Sequence, residues 1–239
     1  MNFLVRTISF IKSTFYRVTN PVCNRIIKDK LTYMDGGSMF NILQAVKEIE
    51  RKRIPGLFIE TGCALGGSAI LIGLEKKSTR ELRIYDVFGM IPSPTEKDGV
   101  DVLNRYETIS AGKSIGIRGG KYYGYEEDLL SKVKENFAKY ELSEKDNIKF
   151  VQGLYEETLR INQPVAFAHI DCDWYSSVMT CLKQIEPNLT KGGIIIIDDY
   201  YVWSGCKTAT DDYFKDEIRK KYSFQKKNLR LILKKINDC

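Results

Sequence analysis

Three aspartates follow two apolar segments that are typical of neighbouring strands. One apolar run ends in Asp171, and four consecutive isoleucines, residues 194–197, end in Asp198 and Asp199. Such runs indicate strands buried on both faces, and the 27 residues from Asp171 to Asp198 match one strand–helix–strand unit. A crossover helix makes such strands parallel neighbours, so their carboxyl ends share one edge of the sheet. Three carboxylates that converge there repel one another, and a hard divalent cation would relieve that repulsion.

A glycine-rich turn indicates a second place where a ligand could approach the backbone. A predicted strand, residues 57–61, leads into Gly62 and then Gly66-Gly67-Ser68, which permits a tight turn into a helix whose N-terminus can face a ligand. The next predicted strand ends near Asp86, 24 residues after Gly62. An acid there can accept hydrogen bonds from both ribose hydroxyls of a nucleoside-containing cofactor. A turn-initiating aspartate is the alternative, but turn and acid together favour the cofactor.

The elements that position these residues alternate between strand and helix. The predicted strands cover residues 57–61, 82–87, 148–153, the run ending in Asp171, and 194–197, and a closing hairpin follows at 223–226 and 229–233. Helices are predicted at 39–51, 69–76, 100–109, 126–140, 175–189 and 207–220. This order predicts an α/β fold with a doubly wound, mostly parallel, seven-stranded sheet.

The expected organisation is a helical arm or lid at residues 1–55 and a main domain at 56–239. A long stretch, residues 88–125, is inserted after the second strand and emerges at the edge that carries the acids. Loops of this length usually carry function or contain short helices. Its tyrosines could line a substrate pocket or could hold the loop down, and the sequence leaves both interpretations open.

Composition and charge narrow the classes of partner. Of 239 residues, 43% are hydrophobic and 28% charged, which suits a globular α/β domain. The net charge of +6 comes without a nucleic-acid-binding motif, so we expect no nucleic-acid partner. The six cysteines form no C-x-x-C pair and there is a single histidine, which argues against zinc. We expect reduced thiols in a cytoplasmic protein.

The first 15 residues carry apolar side chains at helical spacing, namely Leu4, Ile8, Ile11 and Phe15, between basic residues. The segment lacks the uninterrupted apolar run and cleavage site of a signal peptide, and no stretch of about 20 apolar residues occurs elsewhere. Such an amphipathic helix could lie on a membrane. Packing on its own domain or on a second subunit is the favoured interpretation, and we expect a homo-oligomer.

Four motifs occur in a fixed order along the chain. They are Phe58-Ile59-Glu60-Thr61-Gly62 with Gly66-Gly67-Ser68, then Tyr85-Asp86-Val87-Phe88-Gly89-Met90, then His169-Ile170-Asp171-Cys172-Asp173-Trp174-Tyr175, and finally Gly192-Gly193-Ile194 through Asp198-Asp199-Tyr200. With five alternating strands and a closing hairpin, the chain resembles class I S-adenosylmethionine-dependent methyltransferases. Specifically, residues 31–214 resemble the macrocin O-methyltransferase-like family, whose members methylate sugar hydroxyls of natural products.

The resemblance implies a role for each matching residue. Glu60, Thr61, Gly62, Cys63 and Ser68 would hold the methionine moiety of S-adenosylmethionine, Asp86 its ribose, Gly153 and Tyr155 its adenine, and Asp171, beside that cofactor, would bind Mg²⁺ with Asp198 and Asp199. Two positions depart from the family pattern: Cys63-Ala64 replaces a V/W-type pair, and Asp171-Cys172-Asp173 replaces D-G-D. Neither departure removes a ligand, but both indicate a subgroup whose substrate differs.

The expected reaction is Mg²⁺-dependent methylation of a hydroxyl on a sugar or diol-containing small molecule. Asp171 is the first candidate for the base and Asp173 the second. A metal ion would keep Asp171 ionised but would also weaken it as a base, so the choice between them stays open. His169 could also serve, although a histidine satisfied within the core is favoured. The alternatives are a non-catalytic nucleotide- or metal-binding module and an NAD-dependent oxidoreductase, the latter disfavoured because the glycine spacing is not G-x-G-x-x-G.

Overall fold

The computed structural model describes residues 20–237, so the predicted helix at residues 1–15 lies outside the described part. The seven strands are β1 Leu57–Thr61, β2 Leu82–Asp86, β3 Ile148–Gln152, β4 Val165–Ile170, β5 Leu189–Ile197, β6 Tyr222–Lys227 and β7 Arg230–Lys235. The α-helices are α1 Pro21–Lys28, α2 Gly36–Lys52, α3 Gly67–Glu75, α4 Val100–Ser110, α5 Leu129–Ala138, α6 Tyr155–Thr158, α7 Tyr175–Ile185, α8 Ser204–Tyr213 and α9 Asp216–Lys220.

The strands form one sheet in the order β3-β2-β1-β4-β5-β7-β6. Strands β1 to β5 pair in parallel, whereas β7 is antiparallel to both β5 and β6. The chain reverses direction across the sheet between β1 and β4, which is where ligands bind in open α/β folds. The predicted doubly wound, mostly parallel seven-stranded sheet of a class I methyltransferase fold is therefore confirmed.

Helices cover both faces of the sheet, as the isoleucine run predicts. Ile194 and Ile196 pack in one apolar cluster with α2, α3 and α5, while Ile195 and Ile197 pack in a second cluster with α7 and α8. Alternate side chains of a strand point to opposite faces, so four consecutive isoleucines fill both layers. Residues 36–52 belong to the first of these layers; the domain boundary at residue 55 stays a prediction.

Local sequence explains where several helices begin and end. Asp35 accepts a hydrogen bond from Ser38 N (2.7 Å) and starts α2, and Asp128 accepts one from Ser131 N (2.9 Å) and starts α5 later than predicted. The prediction of a single helix over residues 207–220 is wrong. The chain turns at Phe214 because that buried ring packs against Tyr222 and Phe224, and a separate short helix, α9, follows.

The inserted segment 88–125 contains α4 and two 3₁₀ turns, Ile117–Gly119 and Tyr123–Tyr125. Buried Asp98 holds the segment to the domain by accepting a hydrogen bond from Tyr175 N (2.8 Å) at the start of α7. The five described cysteines are buried and free of disulfides. Within residues 20–237, no helix combines the length and apolarity that a membrane crossing requires.

Candidate active site

The carboxyl edge of the parallel strands brings the predicted site residues into one row. Backbone hydrogen bonds continue past the strand ends from Gly153 N to Asp86 O (3.0 Å), from Gly62 N to Tyr85 O (3.0 Å), from Asp171 N to Thr61 O (2.8 Å) and from Asp198 N to Ile170 O (2.9 Å). Four residues that are far apart in the sequence are thereby fixed side by side by sheet pairing alone.

Gly62 occupies a position that excludes any side chain. Its φ is +88°, and a methyl group on its Cα would overlap the carbonyl oxygen of Asp171. The turn therefore requires glycine for two reasons, the left-handed backbone conformation and the close approach of β4. Beyond it, Gly67 N donates to the carbonyl of Leu31 (3.0 Å), so residues 31–34 cross over the start of α3.

The carboxylate of Asp86 is oriented by the backbone of the turns around it. Its Oδ2 accepts from Cys63 N at 2.6 Å and its Oδ1 accepts from Phe88 N at 2.7 Å. Burial raises the pKa of Asp86, while these N–H donors work in the opposite direction. Because each carboxylate oxygen has two lone pairs, Asp86 retains acceptors that can receive hydroxyl groups.

Two cavities meet at this edge, and they share residues of both predicted binding regions. The walls common to both are Gly62, Asp86, Tyr123, Asp171 and Asp173. The first cavity adds Cys63, Ser68, Asp198 and Asp199. The second extends along β2 and α6 and adds the acidic Glu156 and a set of apolar and small residues, namely Val87, Gly89, Ile91, Pro92, Leu154, Tyr155, Cys172, Ser176 and Ser177. A nucleoside-containing ligand could therefore lie across Asp86 with its two ends in different cavities.

Three predicted cofactor contacts do not line either cavity. Glu60 and Thr61 are fully buried behind the wall that Gly62 and Ser68 form, and Glu60 accepts a hydrogen bond from Ser68 Oγ. Gly153 lies at the end of β3 with φ +139°. Direct contact of these three residues with a cofactor stays a prediction.

The aspartates converge in the first cavity. One ligand atom from each of Asp171, Asp173 and Asp199 lies within 4.8 Å of the others, and the same holds for His169, Asp171 and Asp198. Among the described residues, the predicted trio of Asp171, Asp198 and Asp199 does not form one such group, because Asp173 stands with Asp199 where Asp198 was expected. Oδ2 of Asp199 is buried and has no hydrogen-bond partner among the described residues. Buried polar atoms normally have a partner, and here a proton shared with Asp171 or Asp173, or a bound cation, would supply one.

Mutual repulsion and burial perturb these carboxyl groups strongly. Burial, reinforced by Asp198, raises the pKa of Asp171 well above its usual range, and burial with Asp173 does the same for Asp199. The side chain of Asp173 is partly exposed to solvent. Even so, desolvation and the neighbouring Asp171 raise its pKa to about 7. Fully ionised aspartates here would need an added positive charge.

Asp198 differs from the other three because protein cations contact it. Its Oδ1 accepts a hydrogen bond from Arg230 Nε and lies 3.4 Å from His169 Nε2. Burial opposes ionisation, but His169 and Arg230 outweigh it and lower the pKa of Asp198. Desolvation alone would lower the pKa of His169, but Glu60 and Asp198 raise it well above its usual value. The ring is a satisfied core histidine, since Nδ1 lies 3.0 Å from Glu60 Oε2.

The donor set fits a hard cation. Three cations, His169, Arg230 and Arg105, face a larger group of carboxyls that comprises Glu60, Asp86, Asp171, Asp173, Asp198 and Asp199. If all ionise, about three negative charges remain. Because both nitrogens of His169 are engaged, the available ligand atoms are carboxylate oxygens, the type that Mg²⁺ prefers.

Sequence reasoning missed several residues of the first cavity. Arg230 could have been found from topology, because β7 runs antiparallel beside β5 and its first residue must lie at the edge that carries Asp198. Residues 31–34, Arg105 and Trp203 also line the cavity. They reach it through loop packing, for which the sequence carries no spacing signal. Among the loop tyrosines, Tyr122 and Tyr123 do line it.

The sequence of the chain matches a known protein family and several characterised methyltransferases. A family model described as macrocin-O-methyltransferase (TylF) matches residues 30–221. A demethyldecarbamoylnovobiocin O-methyltransferase of Streptomyces niveus is 29% identical over 183 residues, or 72% of this chain and 63% of that protein. An 8-demethyl-8-(2,3-dimethoxy-alpha-L-rhamnosyl)-tetracenomycin-C 4'-O-methyltransferase of Streptomyces olivaceus is 28% identical over 180 residues, with the same two coverages.

The fold has solved counterparts. The structure of the O-methyltransferase NovP matches with a TM-score of 0.71 at 22% identity, covering 87% of this chain and 83% of that one. The chain spans about 63% of the length of the two curated relatives it matches.

Proposed function

Because the chain belongs to the macrocin O-methyltransferase (TylF) family, we propose that it is an S-adenosylmethionine- and Mg²⁺-dependent O-methyltransferase. Its acceptor is a hydroxyl of a sugar or of a glycosylated, diol-containing small molecule. The observation that carries the proposal is the junction of the two cavities, where Asp86 and Gly62 stand beside the cluster of Asp171, Asp173 and Asp199. A nucleoside-containing methyl donor and a metal-bound acceptor need such an adjoining pair of sites.

The walls of the cavities suit the parts of the donor. Ser68, Cys63 and Gly62 would hold its methionine end, and Asp86 would accept the ribose hydroxyls. Tyr155, with Leu154, offers an apolar place for the adenine in the second cavity. The excess of negative charge around Asp171 favours a ligand that carries a sulfonium cation over a neutral one.

Asp171, Asp198 and Asp199 would hold Mg²⁺, with the unpartnered oxygen of Asp199 as one ligand. When bound, the ion would lower the pKa of an acceptor hydroxyl and orient it, and the donor would supply the methyl group. Among the protein groups, Asp171 and Asp173 are the candidates to take the hydroxyl proton. Asp173 lies in the same cluster and is not one of the proposed ligands, so it can take that role, whereas Asp171 as a metal ligand would be a weaker base.

The acceptor is inferred from the relatives and the cavity. The name of the tetracenomycin methyltransferase includes a rhamnosyl group. Vicinal hydroxyls of a sugar can chelate one cation. Tyr33, Tyr122, Val202 and Trp203 line the first cavity around the acids. Aromatic rings suit the apolar faces of a sugar or an attached aglycone.

Thermal-shift titrations test the donor, because a ligand that binds only the folded state raises Tm. S-adenosylmethionine should raise Tm, and NAD at the same concentrations should not. The reverse result would favour the oxidoreductase. Tight binding of S-adenosylmethionine without methyl transfer to any of a panel of sugars and glycosides would favour the non-catalytic module.

A further inference from the structure

A chain of buried side chains runs beneath the two proposed binding regions. Ser68 Oγ donates to Glu60 Oε1, Glu60 Oε2 lies 3.0 Å from His169 Nδ1, and His169 Nε2 lies 3.4 Å from Asp198 Oδ1. Arg230 closes the chain on Asp198. Ser68 lines the cavity wall proposed for the donor, and Asp198 is a proposed metal ligand. The links cross β1, β4 and β5.

Sheet register makes this chain rigid. Glu60 pairs with His169, and His169 pairs with Ile196, in adjacent parallel strands. Glu60 and His169 are completely buried, so neither side chain can exchange its partner for water. A buried carboxylate that loses a partner is disfavoured. Removal of the ring would leave the side chain of Glu60 with Ser68 and that of Asp198 with Arg230, and would break the link between the two acids.

Among the described residues, His169 is the one whose side chain lies within hydrogen-bond distance of both Glu60 and Asp198. Arg230 contacts Asp198 but not Glu60, and Ser68 contacts Glu60 but not Asp198. Any buried histidine needs partners on its ring nitrogens, and here the two partners are acids that stand behind two different proposed binding regions. Outer groups that orient metal-binding side chains typically influence metal affinity 10–100-fold.

We propose that His169 is a positioning residue that orients Asp198 toward the metal and holds Glu60 behind Ser68 at the donor wall, so that one side chain supports both affinities. The proposal rests on the proposed function, since it takes S-adenosylmethionine and a divalent cation as the two ligands. It assigns no contact with either ligand to His169.

The test measures the two affinities separately in the full chain. Mn²⁺ binding is followed by electron paramagnetic resonance, and binding of S-adenosylhomocysteine, the demethylated donor, by calorimetry. His169→Gln should weaken Mn²⁺ binding about 10-fold or more and should also weaken S-adenosylhomocysteine binding. Glu60→Gln should weaken Mn²⁺ binding too, although Glu60 does not contact Asp198, because its influence passes through His169. Should His169→Gln fail to fold, Glu60→Gln decides.

Ile195→Val is the control, since the side chain of Ile195 packs in the apolar cluster on the face of the sheet opposite that of Ile196, the strand neighbour of His169. It should keep both affinities at the wild-type values while lowering Tm slightly. Wild-type affinities in a folded His169→Gln variant, or a wild-type Mn²⁺ affinity in Glu60→Gln, would overturn the inference. A wild-type protein that binds neither ligand would instead refute the proposed function, so the two failures are distinguishable.

Discussion

Gly62 at the end of β1 lies against the carbonyl oxygen of Asp171 at the end of β4, with no room for a methyl group between them. This contact sets the spacing between the turn proposed to hold the donor and the first of the clustered aspartates. The requirement for glycine at position 62 therefore has a physical reason that is independent of any ligand.

We therefore expect Gly62→Ala to destabilise the fold by roughly 3 kcal/mol or more, from left-handed backbone strain of about 1–2 kcal/mol and overpacking of similar size. Gly112→Ala is the matched control: Gly112 also has a positive φ, +73°, but nothing lies within 4 Å of its added carbon. Gly112→Ala should lower the free energy of unfolding only by the amount that backbone strain contributes. Chemical denaturation of both variants measures the difference, and equal losses would contradict the crowding.

Replacement of a proposed metal ligand should remove the response to metal. Asp199→Asn should abolish the rise in Tm on adding Mg²⁺ and lower activity about 100-fold or more, because the ion contributes several kcal/mol of charge stabilisation. Asp216→Asn, at the exposed start of α9, removes the same charge from a residue that lines neither cavity, and should change neither property. An unchanged Mg²⁺ response in Asp199→Asn would exclude Asp199 as a ligand.

The two candidate bases should separate in kinetics. Asp173→Asn should lower kcat about 10²–10⁴-fold, the usual contribution of a general base, while S-adenosylhomocysteine and Mn²⁺ still bind. Asp171→Asn should lose metal affinity as well. If instead Asp173→Asn retains kcat and Asp171→Asn loses kcat with its metal affinity intact, Asp171 is the base.

The raised pKa of Asp173 predicts the pH dependence of stability. Its carboxyl titrates near its ordinary value when unfolded and at about 7 when folded, so the folded state holds the proton more tightly. Stability is then lost as pH rises from about 4 to 7. The metal-free wild type should lose Tm over this range relative to Asp173→Asn, and added Mg²⁺ should stabilise the wild type more at pH 8 than at pH 5. Parallel Tm curves for the two proteins would contradict this.

The sequence predicts the sheet well because its signals are local. Isoleucines 194–197 must face both layers, and the acids that end these strands must share an edge once β4 and β5 are parallel. The partners of those acids were harder to predict. Whether His169 faces a ligand or the core depends on which residue of β1 lies beside it, and only the register places Glu60 there. Tyr123 and Trp203 reach the cavity through loops, whose path no periodicity determines.

The most direct test of the central claim follows a methyl group. The protein is incubated with S-adenosylmethionine labelled in its methyl group, Mg²⁺, and a panel of sugars and glycosylated natural products, and the products are identified by mass spectrometry. We predict a labelled O-methyl group on a hydroxyl-bearing acceptor, lost when a chelator is added and absent with Asp199→Asn. Labelled product that forms equally well with the chelator would contradict the metal, and binding of S-adenosylmethionine with no labelled product across the panel would contradict the transferase.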